Sequence, residues 1–189
     1  EDYEGNVIHP KFKKVIYDKN KNEVIVGSSV YLPDLSRLYK SNNLVNAEFL
    51  IGIPGSVGGA AKMNAGAYGS EFSDLLLSLD VYNLNTKKYE TIDKNKIDFG
   101  YRFSNNLDGK MIISAKLSGF PGDPKEIKKK LKEYVSYRKK TQPAGIYNAG
   151  SVFKNHEDYS AGQLIDNAGL KGYEIEGVKV SKKHANFFI

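Results

Sequence analysis

The sequence of 189 residues predicts an α+β fold in two parts. Stretches in which apolar and polar residues alternate recur between residues 12 and 117, which is typical of antiparallel strands with one buried face. Glycine and proline within residues 119–122 end this pattern. A second, shorter set of strand and helix patterns begins after Gln142-Pro143, so we expect a joint between residues 120 and 143.

The first part begins with a predicted β-hairpin whose strands flank a polar turn at residues 18–22. Its predicted elements are the two hairpin strands, a short helix and three further strands, at residues 12–17, 23–28, 33–40, 77–82, 89–92 and 112–117. The elements predicted for the second part are a strand, a helix that ends at Gly169 and two further strands, at residues 151–153, 160–168, 174–180 and 185–189.

A lysine-rich helix is predicted between the two parts, because Asp123, Pro124 and Glu126 have the composition of a helix start. Its apolar residues recur at helical spacing and predict a buried stripe of Ile127, Leu131, Tyr134 and Val135. The lysines occupy the other face, which favours a solvent-exposed surface or a local attraction for an anionic small substrate. A nucleic-acid site is less favoured, because neither arginine nor aromatic residues alternate with the lysines.

Composition excludes several kinds of chemistry. The chain has no cysteine, so it has no disulfide, thiolate nucleophile, iron–sulfur cluster or cysteine-type zinc site. Its three histidines, His9, His156 and His184, are isolated in the sequence and are not spaced like the ligands of a metal site, so no metal is expected. No apolar run approaches the roughly 20 residues of a membrane span. We therefore expect a cytoplasmic protein that does not bind a membrane.

The segment 52–69 contains six of the 18 glycines. Small residues allow a backbone to approach a ligand closely, and a helix that begins near Ser56 would direct free amides toward an anion. The spacing matches neither common nucleotide-binding glycine motif, and close packing of backbone against backbone is the alternative. The residues expected to contact a cofactor are Pro54, Gly55, Ser56, Gly58, Gly59, Asn64, Gly66 and Tyr68.

Three further motifs follow the glycine-rich segment. They are Tyr101-Arg102-x-Ser104, a stretch from Gly150 to Asn155 and a longer one from Ala161 to Phe187. The four motifs occur in the order found in the UDP-N-acetylenolpyruvoylglucosamine reductase (UDP-N-acetylmuramate dehydrogenase, MurB) family, and the chain resembles that family over nearly its whole length. The short interval between the arginine and serine motifs resembles the compact type of the family.

This resemblance implies the main lobe of a two-lobed FAD-binding domain of the PCMH/VAO type, followed by a small α+β substrate-binding domain. The expected limits are 1–122 for the FAD-binding domain, 123–140 for a connecting helix and 141–189 for the substrate domain. The implied reaction uses FAD and NADPH to reduce an enolpyruvyl ether of a UDP-sugar during peptidoglycan synthesis. A monomer is the favoured oligomeric state.

The resemblance also implies roles for individual residues. Arg102 matches the family's arginine, whose fork can bind a carboxylate at two points. Ser151 matches the family's proton donor. Tyr101, Asn155 and His184 are expected substrate contacts, with Tyr68 and Lys139 or Lys140 as further candidates.

The chain departs from the family at both ends. The family's N-terminal glycine-rich loop and C-terminal catalytic glutamate would lie outside residues 1–189, so we expect this polypeptide alone to bind FAD weakly or not at all. Within the chain, His156 stands where the family usually has proline, and Glu176 interrupts an Ile-Gly-Gly sequence. Two alternatives remain open at this point, namely another FAD-linked oxidoreductase of the same fold and a non-enzymatic basic binding module.

Overall fold

A five-stranded antiparallel sheet lies at the centre of the first of two units in the computed structural model of the chain. The units are Glu1–Tyr134 and Val135–Ile189, and the structure describes residues 5, 7–143, 145–146 and 148–189. Both units combine helices with strands, so the predicted α+β class is confirmed. The domain limits expected at residues 122 and 141 stay a prediction.

The first unit contains nine strands and three helices among its described residues, followed by a fourth helix that continues into the second unit. In chain order they are β1 (Val15–Asp18), β2 (Glu23–Gly27), α1 (Leu32–Ser41), α2 (Val57–Met63), β3 (Gly66–Ala67), β4 (Ser70–Glu71), α3 (Phe72–Leu75), β5 (Leu76–Asn83), β6 (Lys88–Asp93), β7 (Phe99–Gly100), β8 (Phe103–Ser104), β9 (Lys110–Ser118) and α4 (Pro124–Thr141), with 3₁₀ turns at Glu48–Gly52 and Lys94–Lys96.

The large sheet has the strand order β1-β2-β9-β5-β6. The predicted first hairpin is confirmed, because β1 and β2 pair in antiparallel register with Asp18 opposite Glu23. Strand β9 then pairs with both β2 and β5. One face of the sheet is buried, and its Val24, Val26 and Leu117 belong to the same apolar core as residues of α1 and α2. The core therefore fixes α2, which carries the glycine-rich segment, to the sheet.

The buried face of β5 differs from its prediction at one position. The alternation of the sequence places Leu77, Leu79 and Val81 on the buried face, yet Leu77 is exposed and Ser78 is buried. The pairing of β5 with β9 shifts register between Leu76 and Ser78. An irregularity of this kind exchanges the two faces of a strand, so Leu76 takes the buried position expected for Leu77.

The lysine-rich helix α4 is confirmed, with a shorter buried stripe than predicted. Ile127 and Leu131 are buried, but Val135 is 49% exposed. The ring of Tyr134 stacks on Tyr68, with 3.9 Å between the ring centroids. The buried stripe of this helix therefore ends before Val135.

The second unit contains α5 (Ala161–Asn167) and the hairpin of β10 (Glu174–Ile175) and β11 (Val178–Lys179). The strands predicted at 151–153 and 185–189 are wrong as regular strands, because only the isolated bridges Ser151–Phe187 and Val180–Phe188 form there. The side chain of Asn186 replaces the missing ladder. Its Oδ1 accepts from the Phe153 amide at 2.9 Å, and its Nδ2 donates to the Phe153 carbonyl at 2.9 Å.

No helix in the described part of the chain is both long and apolar enough to cross a lipid bilayer.

Candidate functional site

A groove of about 690 Å³ in the first unit contains half of the predicted cofactor residues. Gly55, Ser56, Gly58 and Gly59 all contribute to its lining. Gly55 has φ = +136°, and a Cβ atom added there would meet nothing within 4 Å. At Gly55 the groove therefore has a wall of bare backbone, which a ligand could approach closely.

The amides at the start of α2 are not free, which corrects the sequence-based expectation. The Val57 and Gly58 amides donate to the carbonyls of Val30 and Ser28, both at 2.9 Å. The Gly59 amide donates to Ser56 Oγ, the N-cap of the helix, at 3.4 Å. The first two amides of α2 thus hold the helix against the chain that follows β2, and the third bonds to the N-cap, so none of the three is free to bind an anion.

The two glycines inside α2 differ in their surroundings. A Cβ atom added at Gly58 would lie 3.1 Å from the Cβ of Ser28, which is tighter than an ordinary contact. One added at Gly59 would have Ser56 Oγ, 3.7 Å away, as its nearest neighbour. Gly58 therefore lies in a closely packed position, which agrees with the alternative that the sequence left open, whereas Gly59 is exposed in the groove.

Several groove residues were missed by sequence reasoning, among them Ser28, Ser29 and Lys62. Small polar residues directly after a buried strand, as in Gly27-Ser28-Ser29, are a signal that could have identified the first two. Lys62 Nζ lies 2.6 Å from Asp108 Oδ1. The hydrogen bond and charge of Lys62 lower the pKa of the Asp108 carboxyl.

The opposite end of α2 holds Asn64, whose predicted role was contact with a cofactor. Asn64 is the C-cap of α2, has φ = +43° in the left-handed region and is 2% exposed. Its side-chain amide makes hydrogen bonds with Glu71, Gly100 and Ser73. The structure therefore shows Asn64 in a buried structural network.

Arg102 lies at the tip of the β7–β8 hairpin, beside Tyr101. Its backbone has φ = +54°, a conformation that costs a non-glycine residue roughly 1–2 kcal/mol. Nη1 of Arg102 is buried and has no hydrogen-bond partner within the described ranges. A charged donor without a partner is costly, so the site favours an anionic acceptor such as a carboxylate.

The remaining predicted residues of the first unit lie outside the groove lining. Tyr68 has φ = +58°, and its hydroxyl donates to the Tyr134 carbonyl at 3.0 Å. Gly66 pairs with Glu71 in the β3–β4 ladder, where an added Cβ would lie 2.9 Å from the Ser70 carbonyl oxygen. Tyr101 is 53% exposed, and Pro54 is also exposed.

In the second unit, Ser151 and Asn155 are exposed residues on the segment bridged to Phe187. The amide of Val152 donates to the Asn186 carbonyl at 3.0 Å, which fixes the backbone next to Ser151. Oδ1 of Asn155 accepts from the Ala161 amide, at the start of α5, at 3.1 Å. Ser151 is thus exposed, and the backbone that follows it is held in place by a hydrogen bond to Asn186.

His184 is partly buried in the second unit, and its ring lies against Phe187 with 4.6 Å between the ring centroids. Burial lowers the pKa of the His184 imidazole, and the charges of Lys171 and Arg138 lower it further. Nδ1 accepts from the Asn186 amide at 3.3 Å, so the proton of the neutral ring is on Nε2. His184 therefore presents a neutral N–H donor near pH 7.

No group of three or more histidine, aspartate or glutamate side chains suited to a metal ion occurs among the residues that the structure describes.

Alanine substitution separates the two roles of glycine in α2. Both Gly58→Ala and Gly59→Ala gain helix propensity worth about 0.8–1 kcal/mol. Only Gly58→Ala forces an approach to Ser28, so it should lower the free energy of unfolding by about 1–3 kcal/mol relative to Gly59→Ala. Urea denaturation of both variants measures this difference, and equal stabilities would contradict the packing role of Gly58.

The lowered pKa of His184 predicts a stability that depends on pH. The unfolded chain binds this proton below pH 6.5, the ordinary pKa, whereas the folded chain binds it only at lower pH. Stability should therefore fall as pH decreases from about 6.5 toward the lowered pKa, and the His184→Gln variant should lose less over the same range. Urea denaturation from pH 7.5 to 5 tests this, with exposed His156→Gln as the control. Parallel curves for wild type and His184→Gln would refute it.

Comparison with protein families gives two matches. The FAD binding domain family matches residues 2–90. The C-terminal domain of UDP-N-acetylenolpyruvoylglucosamine reductase matches residues 142–189. The two matches lie in chain order on the two parts of the chain that the sequence distinguished.

Individual relatives agree with these matches. The UDP-N-acetylenolpyruvoylglucosamine reductase of Petrotoga mobilis is 42% identical, over 91% of this chain and 58% of the relative. That of Prochlorococcus marinus is 40% identical, over 94% of this chain and 61% of the relative. The crystal structure of the Thermus caldophilus reductase (MurB) matches with a TM-score of 0.82 and 34% identity, covering 87% of this chain and 60% of that one. The chain thus spans about 60% of the length of these relatives. Over that span, it belongs to the UDP-N-acetylenolpyruvoylglucosamine reductase family.

Proposed function

We propose that the chain is part of an FAD-dependent enzyme that uses NADPH to reduce UDP-N-acetylenolpyruvoylglucosamine in peptidoglycan precursor synthesis. The buried, unpartnered guanidinium nitrogen of Arg102 is the observation that carries this proposal. It provides the cation that a substrate carboxylate requires. The match of residues 142–189 to the reductase's C-terminal domain favours this reaction over that of another flavoprotein.

The groove residues fit a long polar cofactor such as FAD. Gly55 and Gly59 present backbone without a side chain, and the groove has about 690 Å³ of space. Ser56 and Ser29 place hydroxyl groups in its lining. Bound FAD would supply the transfer of a hydride, derived from NADPH, to the double bond of the substrate.

Arg102 would bind the carboxylate next to the reacting double bond. Addition of a hydride to the terminal carbon leaves an electron pair that spreads into this carboxylate, so its negative charge grows in the transition state. A fixed guanidinium fork stabilises that growing charge more strongly than it stabilises the starting carboxylate.

Ser151 would donate the proton that completes the reduction. Its O–H bond breaks as the new C–H bond forms, and the resulting alkoxide regains a proton from the surrounding water. A serine hydroxyl is a weak acid, so this transfer is favourable only toward a strongly basic carbon. The exposure of Ser151 leaves its hydroxyl accessible to a substrate.

The other candidate contacts are Tyr101, Asn155 and His184, which would bind the UDP-sugar through hydrogen bonds. The neutral Nε2–H of His184 suits a sugar or uracil oxygen. We also propose that NADPH and a nucleotide sugar are the protein's small-molecule partners, that it acts in the cytoplasm and that it is a monomer.

The Ser151→Ala variant separates the two half-reactions. In the FAD-loaded full-length protein, reduction of the flavin by NADPH should remain close to normal, because Ser151 takes no part in it. Reoxidation by the enolpyruvyl substrate should slow by at least about 100-fold, as expected for loss of a general acid. Stopped-flow absorbance of the flavin measures both rates, with exposed Ser136→Ala as the control. Equal impairment of both half-reactions would exclude the assignment.

The Arg102→Lys variant tests the carboxylate site. Lysine keeps the positive charge but loses the second donor of the fork, which is worth about 10- to 100-fold. Flavin reoxidation by the substrate should slow by this factor, while flavin reduction should not change. Arg37→Lys is the matched control, because Arg37 forms an exposed ion pair with Asp34 on α1. Normal reoxidation in Arg102→Lys would remove Arg102 from the mechanism.

A further inference from the structure

We propose that Asn64 and Ser104 are positioning residues for Arg102, because they fix both strands of the β7–β8 hairpin to the C-terminal end of α2. The inference deepens the proposed function and rests on the role of Arg102 as the ligand of the substrate carboxylate. It connects the glycine-rich segment directly to the hairpin that carries the arginine.

The first anchor is the side-chain amide of Asn64. Its Oδ1 accepts from the Ser73 amide at 3.0 Å, and its Nδ2 donates to Glu71 Oε2 at 2.7 Å and to the Gly100 carbonyl at 3.3 Å. A backbone amide can only donate and a carboxylate only accepts, so these partners leave one orientation for the amide group. That orientation directs the second Nδ2 hydrogen at Gly100, the last residue of β7.

The partner that orients Asn64 is itself held in place. Glu71 and Asp74 form a capping box at the start of α3, in which Asp74 Oδ2 accepts from the Glu71 amide at 2.8 Å. The left-handed backbone of Asn64 at the end of α2 turns the chain toward β3 and β4. The anchor for Gly100 is therefore part of the folded framework of α2 and α3.

The second anchor is Ser104, on the other strand of the hairpin. It is 5% exposed, and its Oγ donates to the Lys62 carbonyl in the last turn of α2 at 2.6 Å. Arg102 stands two residues from each anchor. Since β7 and β8 have only two residues each, the hairpin is too short to be stable by itself, and its position depends on what it is attached to.

Substitution of Ser104 by alanine tests the anchor against a matched control. Tyr39→Phe also removes one hydroxyl that donates to a backbone carbonyl at 2.6 Å, that of Ser118, and Tyr39 is buried in the same unit. Both variants should lose similar stability. Only Ser104→Ala should slow flavin reoxidation by the substrate in the FAD-loaded full-length protein, on the order of tenfold or more, with flavin reduction unchanged. Equal rates in the two variants would overturn the proposal.

A double variant shows whether Ser104 acts through Arg102. If it does, Ser104→Ala should slow reoxidation much less in an Arg102→Lys background than in wild type. An equal loss in both backgrounds would overturn the positioning role. If Arg102→Lys alone has no effect, the proposed function of Arg102 fails. The anchor is then still tested by hydrogen exchange, since amides of residues 99–104 should exchange faster in Ser104→Ala and not in Tyr39→Phe.

Asn64→Gly provides a second variant in which the backbone is not strained. Glycine adopts the left-handed conformation of residue 64 readily, so the turn after α2 should persist while the amide group is lost. We expect faster exchange in residues 99–104 and slower flavin reoxidation, as in Ser104→Ala. Unchanged exchange in this hairpin would exclude Asn64 as an anchor.

Discussion

The hydrogen-bond network of Asn64 is the constraint on which the arrangement of the first unit's candidate site depends. Helix α2 has seven residues and is therefore about 10 Å long. Its N-terminal end forms part of the groove wall, and its C-terminal end holds the Arg102 hairpin through Asn64 and Ser104. This short helix thus sets the distance between the glycine backbone that lines the groove and the Arg102 side chain at the tip of the hairpin.

Small residues in α2 serve the packing of the protein as much as access for a ligand. Gly58 lets the helix approach Ser28, and the amides of Val57 and Gly58 bond to the chain after β2. These contacts would be lost if the same amides turned toward a phosphate. Within this segment, Gly58 combines close packing against Ser28 with a place in the groove lining, whereas Gly59 lines the groove without a close neighbour.

The sequence predicts most elements of the first unit, because their signals are local. Alternation and a polar turn indicated β1 and β2, and a proline after an acidic residue indicated α4. The exposure of Leu77 was not predictable, since it depends on a register shift against β9, which is distant in the chain. The same reason explains the isolated bridges at Ser151 and Phe187, where the Asn186 side chain takes the place of a ladder. Motifs identified the candidate residues, but they could not distinguish the groove lining at Gly55 from the buried network at Asn64.

Arg102 combines two unfavourable features that share one explanation. Its left-handed backbone is strained, and its Nη1 lacks a partner among the described residues. Either feature could be relieved by glycine or by a shorter polar residue at the hairpin tip. Lysine is far more common than arginine in this chain. At position 102 it would have no planar guanidinium group whose donors need hydrogen-bond acceptors. The anchors at Gly100 and Ser104 instead keep the strained arginine at a fixed position. In the proposed function, a bound carboxylate would supply the acceptor that Nη1 lacks and would offset part of the cost of placing Arg102 at the hairpin tip.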